Sequence, residues 1–151
     1  RMIFFAKGVV ETVKKLNWAP DIIHIHGWMA SLLPLYLREF YNEEPLFTES
    51  KIVTSLYSNG FEGELDSEMA AKVRFDNLDE SKVKTIEKPN HTNILKSAIE
   101  NSDAIIKGSD DLSEEITEFI EKSDTVVLDF QKEDDITEAY LEFYSEKVLE
   151  I

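Results

Sequence analysis

The chain of 151 residues contains no cysteine. Disulfides and thiolate metal sites are therefore excluded. No run of eighteen apolar residues occurs, so no membrane-spanning helix is expected. The first residues lack the charged, apolar and small-residue order of a secretory signal, and a cytoplasmic location is the expectation. No glycine-rich fingerprint follows a strand, which leaves a dinucleotide or P-loop site without support. Positive charge is short as well. Lys and Arg number 16 against 31 Asp and Glu, for a net charge of -15. Residues 1–60 carry six of each sign, so the whole excess falls in residues 61–151. Such a surface repels phosphate backbones, and nucleic acid is not an expected partner.

Apolar residues make up 42% of the chain, enough for one domain with a core. Ile3, Phe4, Val9, Val10, Val13 and Leu16 predict a helix over about residues 2–16. It opens at Arg1 without a cap, and a longer chain is expected to precede it. Asn17-Trp18-Ala19-Pro20 ends it, because proline disfavours helix in the residue before it. Residues 21–26, Asp21-Ile22-Ile23-His24-Ile25-His26, read as a strand buried on both faces. Gly27 turns the chain into a helix over about 29–41, with Pro34 near its start or at a bend. Lys51 to Tyr57 is a second buried strand, so the order is βαβ. Residues 61–90 are a polar excursion with one short helix near Ser67 to Val73. A helix over 93–101, a strand over 103–108 and a helix to Lys122 capped by Asp110 or Asp111 follow. Thr125 to Leu128 is a fourth short strand. A last helix over about 135–150 starts at Asp134 or Asp135. Its inward residues are Ile136, Ala139, Tyr140, Phe143, Tyr144 and Val148. One α/β domain over residues 1–151, with a mainly parallel sheet covered by helices on its faces, is expected.

The chemistry-bearing candidates gather after the first two strands. Gly27 sits at the carboxyl end of a parallel strand, where open α/β sheets bind ligands; a lone glycine there equally serves backbone geometry. Trp28 offers a ring for a sugar face, with core packing as the more common role. Tyr57 and Ser58 end the neighbouring strand and line the same edge, or form a plain turn. His24 and His26 share one strand face. Two histidines without a third nearby ligand read as buried, hydrogen-bonded groups rather than a metal site. No metal and no cofactor are expected, and no paired carboxylates for catalysis stand out among so many acids.

These residues also carry a resemblance. Asn17-Trp18-Ala19-Pro20-Asp21-Ile22-Ile23-His24-Ile25-His26-Gly27-Trp28 resembles the Trp-x-Pro-Asp-x-x-His-x-His-Asp-Trp stretch of glycogen/starch synthases. Leu33-Pro34-Leu35-Tyr36-Leu37, Lys51 to Tyr57 and Phe61-Glu62-Gly63 are similar to the segments that follow in that family. Leu95 to Ile99, Ser102-Asp103, Ser109 and Glu115-Ile116 continue the likeness weakly. The resemblance implies a Rossmann-like three-layer domain, part of the N-terminal domain of a GT-B glucosyltransferase. In such enzymes two Rossmann-like domains face each other, and ADP-glucose or UDP-glucose binds mainly to the second. Glucose passes with retention to an α-1,4-glucan. Gly27 stands where the family motif has Asp, and Tyr57 where it has His. The family's Lys-Thr-Gly-Gly loop, and the basic pair and catalytic Glu of its second domain, are not among these residues. The expectation is a synthase part that does not act alone, with Gly27, Trp28, Tyr57 and Ser58 as substrate-binding candidates and no catalytic residue. The competing expectations are a non-catalytic glucan- or protein-binding module and a purely structural domain. An α-glucan and a partner protein or the rest of a longer chain are the candidate partners.

Overall fold

The computed structural model describes residues 1–75 and 78–150. Four strands, β1 (Ile22–His26), β2 (Lys51–Leu56), β3 (Ala104–Lys107) and β4 (Val126–Leu128), form one parallel sheet in the order β1-β2-β3-β4. Helix α1 (Met2–Lys15) precedes β1. Helix α2 (Leu33–Glu39) links β1 to β2, α3 (Met69–Arg74) and α4 (His91–Glu100) lie between β2 and β3, and α5 (Glu114–Glu121) leads to β4. A last helix, α6 (Ile136–Glu142), continues as π-helical turns over Phe143–Val148. No helix of the described residues is long and apolar enough to cross a membrane.

Several local signals act as the sequence implies. Asn17 takes a positive φ of 50° and stops α1, a role suited to asparagine just past a helix end. Pro34 sits in the first turn of α2, so that helix begins there instead of bending. The stretch expected as one helix over 29–41 is split, a 3-10 turn at Trp28–Ala30 preceding α2. The cap of α5 is neither Asp110 nor Asp111. Ser113 takes that place, its side chain accepting from the Ile116 N–H, so the acids before it stay in a turn.

The sheet is covered unequally. Each new strand is added beyond the previous one, and right-handed crossovers then deliver every connecting helix to the same side. Ile25 and Ile52 pack with residues of α1 and α2. Leu56 and Ile105 pack with Leu95 and Ile99 of α4 and Ile116 and Ile120 of α5. The helices expected near 29–41, 93–101 and 111–122 thus share one face. The opposite face carries His24, Val53, Ser55, Ala104 and Ile106, in register across the strands. Among the described residues the terminal helix covers this face: Phe143 and Val148 bury against Val53, Ala104 and Ile106, with Tyr140 and Tyr144 beside them. Ile136, expected to point inward, is 37% exposed, because docking begins only at the second turn.

Candidate functional site

Parallel strands bring their carboxyl ends to one edge, and four turns meet there. Gly27 follows β1 with φ 73° and ψ 166°, a conformation essentially restricted to glycine. Its N–H donates to the Ser55 carbonyl at 3.2 Å, and its own carbonyl accepts from Ala30 N–H and from Ser31 Oγ. The glycine thereby ties the end of β1 to β2 and starts the turn. An added Cβ would meet no atom within 4 Å, so backbone conformation, not crowding, calls for glycine here.

Tyr57 follows β2. Its ring lies over Gly108, where an added Cβ would sit 2.5 Å from Tyr57 Cε1. The Tyr57 hydroxyl is 2.9 Å from His26 Nδ1, and the two rings stack at a centroid distance of 6.3 Å. Ser58 is joined to the turn after β3, its N–H donating to Ser109 Oγ at 3.2 Å. Gly27, Tyr57 and Ser58 are therefore brought to one edge. Trp28 is directed elsewhere. Its ring packs on Phe61 at 4.8 Å and belongs to the helix-side core. A concavity of about 390 Å³ lined by Arg1, Met29, Leu65 and Met69 takes in Trp28, but none of Gly27, Tyr57 or Ser58.

Two residues first read as buried structural histidines complete the edge. The rings of His24 and His26 lie against each other, centroids 3.9 Å apart and planes tilted by 38°. His24 Nε2 is 2.7 Å from Ser55 Oγ, and His24 Nδ1 is 2.6 Å from the Tyr144 hydroxyl of the terminal helix. Burial, with the neighbouring His26 adding to it, lowers the His24 pKa to about 4. Burial lowers that of His26 too. Tyr144 is pushed up to about 12, by burial first and then by Tyr140 and Tyr57. Tyr140 is raised by burial, with hydrogen bonding from Ser55 pulling the other way. The result is an uncharged cluster of imidazoles and hydroxyls. Lys107, at the end of β3, is held by Asp129 at 2.7 Å. Among the described residues no group of three or more His, Asp and Glu is disposed to hold a metal ion. The signal for Tyr140 and Tyr144 at this site was their helical spacing, which reads as packing and says nothing of a histidine 120 residues away.

The family model described as the starch synthase catalytic domain matches residues 1–127. A glycogen synthase of Chlorobium luteolum is 33% identical over 105 residues, which are 70% of this chain and 21% of that protein. One of Clostridium perfringens is 28% identical over 116 residues, 77% of this chain and 24% of that protein. The chain thus spans under a quarter of the length of these relatives. Among solved structures, the catalytic domain of starch synthase IV from Arabidopsis thaliana, bound to ADP and acarbose, superimposes with a TM-score of 0.55 at 18% identity. The match covers 70% of this chain and 22% of that one. At that identity the likeness speaks for the fold. With a family match that runs from α1 to the middle of β4, this parallel α/β chain belongs to the glycogen/starch synthase family of glycosyltransferases.

Proposed function

We propose that these residues form the sugar-contacting part of a GT-B glucosyltransferase. It moves glucose from ADP-glucose or UDP-glucose to an α-1,4-glucan, in the cytoplasm, and the 151-residue chain alone does not turn over. The observation that carries this reading is the uncharged cluster at the carboxyl ends of β1 and β2. Gly27, His26, Tyr57 and Ser58 offer imidazole, hydroxyl and backbone groups, and the nearby Lys107 is paired. Such groups suit sugar hydroxyls. A departing nucleoside diphosphate needs preorganised positive charge or several converging N–H donors, usually the largest single catalytic contribution. In a two-domain synthase the opposing domain supplies it. A second reading is a non-catalytic glucan- or protein-binding module. It is favoured by Gly27 and Tyr57, which place neither a carboxylate nor a second imidazole where the family motif has them.

A radiolabel transfer assay on glycogen with excess protein, run beside titration with maltooligosaccharides, tests both readings. The expected result is no label in glycogen, together with weak binding that Tyr57→Ala diminishes. Protein-dependent label in glycogen overturns the inactive reading, and absence of any glucan binding overturns the sugar-contacting role.

A further inference from the structure

We infer that Tyr57 is a positioning residue that holds His26 with its proton on Nε2, so that the edge presents an N–H donor to a neutral oxygen ligand. The inference rests on the sugar-contacting reading for its ligand, but its core is a statement about one proton. It starts from which partner donates across the 2.9 Å contact between the Tyr57 hydroxyl and His26 Nδ1. A phenol is a good donor and a poor acceptor, and a neutral imidazole has one bare nitrogen that accepts well. The stable arrangement is Tyr57 O–H donating to Nδ1, and the hydrogen bond at one ring nitrogen sets the state of the other. The proton then sits on Nε2. His26 is exposed, and its Nε2 has no hydrogen-bond partner among the described residues.

The rest of the cluster points the same way. By the same rule the Tyr144 hydroxyl, 2.6 Å from His24 Nδ1, donates to it, which leaves His24 Nε2–H to donate to Ser55 Oγ. Both histidines thus carry the proton on the same nitrogen, each fixed by a tyrosine from a different element. The family match ends at residue 127, so Tyr144 lies outside it. Burial keeps His24 neutral, and partial desolvation lowers the pKa of the more exposed His26. A neutral N–H donor brings no positive charge to single out a phosphate, so the arrangement suits a polyol or glycan oxygen. The placement of Tyr57 depends in turn on Gly108, whose missing side chain makes room for the ring.

The test is long-range ¹H–¹⁵N correlation of the imidazoles near neutral pH. In the wild-type protein, His26 is expected as the Nε2–H form. In Tyr57→Phe it should become a mixture of both forms. Gly108→Ala, whose Cβ would press on the Tyr57 ring and on the Leu56 carbonyl while the hydroxyl is kept, should give the same mixture, with the His24 tautomer unchanged in both variants. A dominant Nδ1–H form in the wild type overturns the inference, as does a Tyr57→Phe spectrum identical to it. Titration with maltoheptaose is the second arm. Loss of one such hydrogen bond predicts about two- to tenfold weaker binding in Tyr57→Phe. The expected tautomer without any binding leaves Tyr57 as the positioning residue and removes glucan as its ligand. Binding equally strong in both proteins overturns the donor role of His26.

Discussion

At the residue scale, the neutral histidines tie stability to pH. The folded His24 titrates near pH 4, below its ordinary value of 6.5, because burial disfavours the cation. Between those values the unfolded chain takes up a proton that the folded chain refuses, so stability falls as pH drops through this window and is fully present above it. The ring is partly solvated, which reduces the effect to about 1–2 kcal/mol. Denaturant melts of the wild type and His24→Gln from pH 7 to 4.5 should differ in slope, the variant being flatter in this interval. Parallel slopes would mean that the histidine is not desolvated. This property was only half legible in the sequence. The alternation in Ile22 to His26 places both histidines on one face. It cannot supply Ser55, Tyr57 and Tyr144, which reach them from other elements. Trp28 shows the opposite limit. Its neighbours in sequence suggest the edge, whereas the 3-10 turn after Gly27 swings the ring onto Phe61.

At the element scale, the strands were the most legible part, because continuous β-branched runs bounded by Pro20, Gly27 and Gly108 leave few alternatives. The helix ends were less so. Asp110, Asp111 and Ser113 are all acceptable caps by type. The choice fell to Ser113 because Ile116 and Ile120 must face Leu56 and Ile105. The face chosen by each helix could not be read from periodicity at all, since it follows from strand order. The terminal helix is where this matters most. Phe143 is 4% exposed and Val148 6%, and among the described residues no other helix joins their cluster on this sheet face. Phe143→Ala should cost about 3–5 kcal/mol, the usual range for a buried phenylalanine. Removal of residues 135–151 should lower the melting temperature by several degrees or more. Calorimetry checks both, and an unaltered transition in the shortened protein would contradict the docking.

At the scale of the whole molecule, charge is unevenly spread. The acidic excess lies in residues 61–151. The near-neutral first part exposes Phe4, Phe5, Leu16, Trp18 and Met29, while the acidic part exposes Phe75, Val126, Phe130, Ile136 and Leu141. Phe4 is 84% exposed, and the residues of the first group flank β1, which is the end strand of the sheet and has no partner on its outer side among the described residues. Bare edges and apolar strips of this kind promote association. Purified alone, the chain should sediment with a concentration-dependent average mass, and Phe4→Glu with Phe5→Glu should reduce it without loss of helical content. A constant monomer mass in the unaltered protein would contradict the expectation. The one-sided sheet has a further consequence, in the order of synthesis. Every strand and all the helices of the first face leave the ribosome before Phe143 and Val148 do. During that interval Val53, Ala104 and Ile106 present an uncovered apolar surface on an otherwise assembled sheet.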